Sequence, residues 1–102
     1  MIIHTDENSF EKVVGNKKIC LVDFFATWCG PCRMLGQELE KVEKQTNDFD
    51  IVKIDIDENP NLANEFKIDV VPTMYVFKDG KPVKKLQGYM QKAEIIEIMK
   101  EI

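Results

Sequence analysis

The chain of 102 residues is 44% hydrophobic and 31% charged, and its 18 acidic and 14 basic residues give a formal charge of −4. This length predicts one domain, residues 1–102, with one hydrophobic core, and the composition is that of a globular protein rather than a disordered chain. The basic residues are spread along the chain, so we expect no nucleic-acid partner. No stretch of about 18 consecutive apolar residues is present, so we expect no membrane partner either.

A short strand and a helix are the first predicted elements. Ile2–His4 has the composition of a strand. Thr5 and Asp6 are the residues that we expect to cap the helix that follows. The apolar face of this helix is formed by Phe10, Val13 and Val14. Gly15, followed by Asn16, is expected to end it.

The next segment predicts a central strand followed by an amphipathic helix. Ile19–Ala26 is apolar except for Asp23, as expected of a strand that is covered on both faces. The helix after it carries apolar residues at helical spacing, namely Leu35, Leu39 and Val42. Cys32 extends this face by one turn, so we expect its side chain to face the core.

A further strand and helix are predicted after residue 50. Ile51–Ile56 alternates as a strand. Asn59 and Pro60 are typical of the N-cap and first turn of a helix. The apolar residues of that helix are Leu62, Ala63 and Phe66.

A hairpin and a last helix complete the chain. Gly80 separates Thr73–Phe77 from Val83–Leu86, which predicts two strands joined by a turn. Ala93–Ile102 carries apolar residues at helical spacing. The order of elements is therefore βαβαβαββα, and the predicted fold is an α/β sandwich with helices flanking the sheet.

Two cysteines lie three residues apart at the start of the second helix. Cys29 and Cys32 share one helix face there, about 5–6 Å apart between Cβ atoms, which is within reach of a disulfide. Closing so short a loop stabilises a fold by only about 2 kcal/mol, so redox cycling is the better explanation. The helix N-terminus stabilises a thiolate at Cys29, which predicts that Cys29 attacks a substrate disulfide and Cys32 resolves the mixed disulfide. Pro31 stiffens this loop, and Gly30 leaves room for a substrate backbone.

The remaining cysteine and the single histidine do not predict a metal site. A structural zinc site generally needs four ligands, and Cys20 and His4 lack a useful spacing to the cysteine pair. Cys20 is expected to be a small buried hydrophobic residue. The first residues lack the basic start and apolar stretch of a secretory signal, so we expect a cytoplasmic protein. In that compartment a close cysteine pair is more often catalytic or metal-binding than structural.

Several segments resemble the thioredoxin family, in order and along essentially the whole chain. They are Val22–Ala26, Trp28–Cys32, Val71–Thr73, Phe77–Gly80 and Gly88. The resemblance implies a thioredoxin fold, with a central mixed β-sheet flanked by helices. It also implies a protein-disulfide reductase that acts on protein substrates, is re-reduced by a thioredoxin reductase and needs no bound cofactor beyond a redox-active disulfide. We expect it to act as a monomer.

The resemblance assigns Asp23 and Lys53 to the catalytic group. Asp23 matches a buried carboxylate that helps to move the proton of the second cysteine. A carboxyl group in an apolar strand has a raised pKa, which suits a general base near neutral pH. A structural, hydrogen-bonded Asp is the alternative. Lys53 matches a lysine near that carboxylate, and an ordinary surface charge is the alternative.

The resemblance also implies a substrate-binding surface around Cys29. Only about 5–6% of X-Pro bonds are cis, but the family match implies a cis bond before Pro72, which leaves the Val71 backbone free to pair with an extended substrate. An ordinary proline at a strand start is the alternative. The implied apolar surface comprises Trp28, Gly30, Pro31, Ile56, Val70, Val71, Gly88 and Tyr89. Gly88 is expected to permit a close approach of backbone.

The chain departs from the family pattern at three places. Gly36 and Gln37 stand where many thioredoxins have a helix-kinking proline, which leaves the kink open. Tyr89 is bulkier than the small residue often found there, and Arg33 replaces a common lysine. Two alternative functions stay open at this point, namely a dithiol oxidant or isomerase and a non-catalytic binding subunit with the same fold.

Overall fold

The computed structural model describes all residues, 1–102. The strands are β1 (Ile2–His4), β2 (Ile19–Phe25), β3 (Asp50–Asp55), β4 (Thr73–Lys78) and β5 (Lys81–Gln87). The helices are α1 (Phe10–Gly15), α2 (Gly30–Gln45), α3 (Pro60–Glu65) and α4 (Lys92–Lys100). This confirms the predicted order βαβαβαββα, with boundaries that differ by up to two residues except at the start of α1.

The five strands form one mixed sheet in the order β1-β3-β2-β4-β5. β1, β3 and β2 are parallel, because helices connect them, whereas β4 is antiparallel to both β2 and β5. Asp79 and Gly80 form the two-residue turn between β4 and β5, and both have positive φ, at 53° and 80°. Asp-Gly is a preferred sequence for hairpin turns of this conformation. In this strand order, β2 lies at the centre of the sheet, between β3 and β4.

Apolar side chains cover both faces of β2, as predicted. Leu21 points to the face on which α2 and α4 pack, and the core there also includes Leu35, Leu39, Ile51, Met74, Val76, Ile95 and Met99. Val22 and Phe24 point to the opposite face, where they pack with Phe10, Val14, Val52, Ile54, Leu62 and Phe77. Cys20 is fully buried in this second cluster as a free thiol, and burial raises its pKa to about 11. Because side chains alternate along a strand, Asp23 lies on the face beneath α2.

The prediction that Thr5 and Asp6 cap α1 is wrong. The N-cap is Ser9, whose side chain makes no capping hydrogen bond. The Asp6 carboxylate instead accepts hydrogen bonds from the backbone N–H groups of Asn8 and Ser9, each at 3.0 Å. Asp6 therefore stabilises a turn before the helix, a local role that short polar side chains also favour.

Asn59 is the N-cap of α3, as predicted, but its side chain does not cap the helix. Its Oδ1 accepts a hydrogen bond from the Glu7 N–H at 2.9 Å, and its Nδ2 donates to the Asp55 carbonyl at 3.0 Å. Asn59 therefore links α3 to the loop before α1. No helix of the chain has the length and apolar character needed to cross a membrane.

Candidate active site

Cys29 and Cys32 form a disulfide at the N-terminus of α2. Cys29 is the N-cap, and Pro31 occupies the first turn, where its missing N–H would lack a helical partner in any case. The backbone N–H of Cys32 donates a hydrogen bond to the Cys29 sulfur at 3.1 Å. Both residues are buried, with 5% of Cys29 and 3% of Cys32 exposed. After reduction, this N–H and the positive end of the helix would stabilise a thiolate at Cys29.

The segment before β4 lies against the disulfide. The Val71–Pro72 peptide bond is cis, the isomer that the family resemblance implied. The carbonyl oxygen of Val71 is 3.6 Å from the Cys29 sulfur. Neither the N–H nor the C=O of Val71 forms a hydrogen bond with another backbone group. The backbone of Val71 is therefore free to pair with an extended segment of a partner.

Gly88 is joined to this segment by a backbone hydrogen bond. Its N–H donates to the Pro72 carbonyl at 2.8 Å. Gly88 has a φ of +89°, and a Cβ atom added there would meet no atom within 4 Å. Because the space on the Cβ side of Gly88 is open, the positive φ, rather than a close neighbour, is what favours glycine at this position.

An exposed apolar surface surrounds the disulfide. Trp28 is 66% exposed, and Val70 and Tyr89 are also exposed. Ile56 and Val71 pack on the small cluster formed by Ala26 and the two cysteines. Gly30 begins α2 beside them. The residues that the family resemblance implied for a substrate-binding surface therefore lie at the disulfide or are exposed on segments that adjoin it in the chain.

Two polar contacts at this surface were missed by sequence reasoning. The indole N–H of Trp28 donates a hydrogen bond to Asp57 Oδ2 at 2.8 Å. Arg33 donates from Nη1 to the Thr27 carbonyl at 2.9 Å. The first contact joins residues 29 positions apart, and no local pattern marks Asp57, which lies in an acidic loop after β3.

Asp23 lies at the centre of β2 behind this surface and is fully buried. Neither of its carboxyl oxygens has a hydrogen-bond partner. Burial raises its pKa from 3.8 to about 7, and the nearby charge of Lys53 acts in the opposite direction. No protein group of the chain donates a hydrogen bond to this carboxyl, so its nearest charged neighbour is the Lys53 ammonium. A carboxyl with this pKa can exchange a proton near neutral pH.

Lys53 points inward from β3. Its Cα is the register partner of Asp23 across the parallel strands, and its ammonium lies 3.8 Å from Asp23 Oδ2, with only 14% of the side chain exposed. The ammonium also lies 4.7 Å from the centre of the Phe25 ring. Lys53 is therefore not an ordinary surface charge.

Cys32 and Lys53 line one cleft of about 330 Å³. Gly36, from the second turn of α2, is also part of its wall. α2 runs without interruption through Gly36 and Gln37. The cleft therefore connects Cys32 with Lys53, whose ammonium lies 3.8 Å from Asp23. The chain has no group of three or more His, Cys, Asp or Glu side chains that would hold a metal ion.

The sequence of the chain is similar to those of known thioredoxins. The thioredoxin family model matches residues 1–101. A thioredoxin from Staphylococcus haemolyticus is 44% identical over 96 residues, which cover 93% of this chain and 90% of that protein. A bifunctional thioredoxin reductase/thioredoxin from Mycobacterium leprae is 40% identical over 99 residues, which cover 96% of this chain and 22% of that protein.

The fold also matches a solved structure. A mutant thioredoxin from Halobacterium salinarum NRC-1 superimposes with a TM-score of 0.91 at 32% identity, covering 98% of this chain and 88% of that one. Sequence, fold and the Cys29–Cys32 disulfide agree. The chain belongs to the thioredoxin family, whose members are thiol-disulfide oxidoreductases.

Proposed function

We propose that this protein is a protein-disulfide reductase that passes two electrons from the Cys29 and Cys32 thiols to disulfides of other proteins. The observation that carries the proposal is the position of Cys29 at the N-cap of α2, with the Cys32 N–H 3.1 Å from its sulfur. That arrangement favours a thiolate at Cys29 over one at Cys32, and it assigns the two cysteines different roles.

Cys29 performs the first step. Its thiolate attacks one sulfur of the substrate disulfide, so that a bond forms between Cys29 and that sulfur while the substrate S–S bond breaks. The second substrate sulfur leaves as a thiolate and takes up a proton from solvent. The free backbone groups of Val71 bind the extended substrate segment, and Trp28 and the other exposed apolar residues contact the rest of it.

Cys32 performs the second step. Asp23 takes the proton of the Cys32 thiol, and the resulting thiolate attacks the Cys29 sulfur of the mixed disulfide. The Cys29–Cys32 bond forms, and the remaining substrate sulfur leaves as a thiolate. The raised pKa of Asp23, about 7, supports this role because a base with that pKa exchanges protons at cellular pH. Lys53 places a positive charge beside the Asp23 carboxylate, which lowers the pKa of that group.

The dithiol must then be regenerated by a second protein. We assign this step to a thioredoxin reductase, a class that occurs fused to a thioredoxin in the Mycobacterium leprae relative. We further propose that residues 1–102 form one domain that acts as a monomer in the cytoplasm. One sheet with a core on each face supports the single domain. A thiol pair used as a reductant also requires a reducing compartment.

A trapping experiment tests the assignment of the two cysteines. The Cys32→Ser variant cannot resolve the mixed disulfide, so it should accumulate a covalent adduct with a protein disulfide substrate such as insulin. The Cys29→Ser variant should form no adduct, and Cys20→Ala should reduce insulin at the rate of the unchanged protein. An adduct that forms through Cys32 alone would contradict the assignment. A non-catalytic binding subunit would reduce no insulin even with both cysteines intact.

A further inference from the structure

Gly36 faces the ammonium group of Lys53. An ideal Cβ atom built at Gly36 would lie 3.5 Å from Lys53 Nζ. This is an ordinary contact distance, so a methyl group fits there without displacing the ammonium. Any longer side chain would need additional space in the direction of Nζ, and that space is the cleft that Gly36 lines with Cys32 and Lys53.

A long side chain at Gly36 would be directed into this cleft. Side chains on a helix lean toward its N-terminus, and for residue 36 of α2 that direction leads toward Cys32. The opposite wall of the space is the Lys53 ammonium. The ammonium can move inward by no more than about 1 Å, because it already lies 3.8 Å from Oδ2 of the fully buried Asp23 and such a pair closes to about 2.8 Å. It would move outward instead, because a charged group is more stable in water than against methyl groups.

We propose that Gly36 is a positioning residue of the redox site, because its missing side chain leaves the space in which the Lys53 ammonium lies beside Asp23. The inference rests on the proposed function of Asp23 as the base for Cys32. The requirement at position 36 is for a small residue rather than for glycine itself, because an alanine methyl would lie at an ordinary contact distance of 3.5 Å from the ammonium.

Other titratable groups face this region and must be held constant in any test. They are Asp23 from β2, His4 from β1, which is the register partner of Lys53, and Arg33 and Glu40 from α2, which line the cleft. β4 places Met74, an apolar residue, opposite Asp23. Substitutions at residue 36 leave all of these groups in the chain, so differences among the variants report the effect of the added side chain.

The test is an NMR titration of the Asp23 carboxyl in the disulfide form. Gly36→Leu should raise the pKa of Asp23 by about one unit, because removing a cation from within 4 Å of a carboxylate disfavours its charged form. Gly36→Ala is the matched control. Alanine and leucine are both good helix formers, but the alanine methyl fits at 3.5 Å, so the pKa of Asp23 should stay where it is in the unchanged protein.

A double-mutant cycle decides whether the effect passes through Lys53. Lys53→Met should itself raise the pKa of Asp23, and adding Gly36→Leu to it should raise the pKa no further. Gly36→Met, with a flexible side chain, replaces the leucine variant if that variant fails to fold. An unchanged pKa in the folded leucine or methionine variant would overturn the inference, as would an equal rise on the Lys53→Met background. The titration involves no turnover, so its result is independent of whether the protein reduces disulfides.

Discussion

The Lys53 ammonium and the Asp23 carboxylate lie 3.8 Å apart on neighbouring parallel strands. Lys53 is in contact with the cleft that Cys32 lines, whereas Asp23 is fully buried and has no hydrogen-bond partner. The pair therefore couples a group that solvent reaches to a carboxyl that solvent does not reach. This coupling makes Asp23 suitable for moving a proton without making it an exposed acid.

Replacing Asp23 with Asn should slow the second step of the reaction at neutral pH. The amide cannot take the proton of Cys32, so the rate of resolution of the mixed disulfide should fall roughly 100-fold. Rapid-mixing measurements on a preformed mixed disulfide check this. Raising the pH should narrow the difference between the two proteins, because hydroxide can then take the proton of Cys32 in place of Asp23. Equal rates at pH 7 would contradict the role of Asp23.

The stability of the disulfide form should decrease as the pH rises from about 4 to about 7. Asp23 has a pKa of about 7 in the folded protein and 3.8 without burial, so the folded state binds more protons within this window. Stability is therefore fully present below the lower value and is lost as the pH rises through the upper one. The loss amounts to at most about 4 kcal/mol. Urea unfolding at pH 5 and pH 8 measures the larger part of this loss.

The Asp23→Asn variant is the control for this pH dependence. It has no titrating group at residue 23, so its stability should vary much less between pH 5 and pH 8. It should also exceed the unchanged protein in stability at pH 8, where the unchanged protein must bury a carboxylate. A variant that retains the full pH dependence would show that another group causes it.

Replacing Trp28 with Ala should impair protein substrates more than small ones. Trp28 is the largest exposed apolar side chain at the site and is held in place by Asp57. Its loss should raise the KM for insulin by about tenfold while leaving the reduction of a small aromatic disulfide nearly unchanged. Val83→Ala, at an exposed apolar position on β5, is the control and should affect neither substrate. An equal loss with both substrates would contradict a role in protein binding.

Gly88→Ala should destabilise the protein by about 1–2 kcal/mol. The φ of +89° at this residue is unfavourable for any residue with a Cβ atom, although the Cβ itself would meet no neighbour. Urea unfolding of the disulfide form measures the loss. Gly15→Ala, where a Cβ would also meet no atom within 4 Å and the residue lies at the end of α1, should cause no comparable loss.

Local sequence patterns predicted most of the fold because the periods of its elements are clear. The apolar run of Ile19–Ala26 predicted a strand covered on both faces, and the spacing from Cys32 to Leu35 and Leu39 predicted the buried face of α2. The cap of α1 was misplaced because Asp6 has the same preference for a turn as for a helix start. Polarity alone cannot distinguish these two roles.

The parts of the site that sequence reasoning missed are contacts between distant elements. Trp28 and Asp57 come from different loops, and Gly36 meets Lys53 across a helix–sheet interface. Such pairs depend on how α2 packs on the sheet, which no periodicity encodes. The cis bond before Pro72 came from the family resemblance, since the ordinary frequency of X-Pro isomers favours trans.

The reduction potential of the Cys29–Cys32 pair tests the central claim most directly. The protein, with Cys20 replaced by Ala, would be equilibrated in graded dithiol and disulfide buffers, and the fraction of free thiol would be measured. A protein-disulfide reductase should have a potential below the cytosolic glutathione value of about −220 to −260 mV. A potential near −180 mV or higher, in the range of about −120 to −180 mV where isomerases and oxidants lie, would contradict the assignment as a reductase.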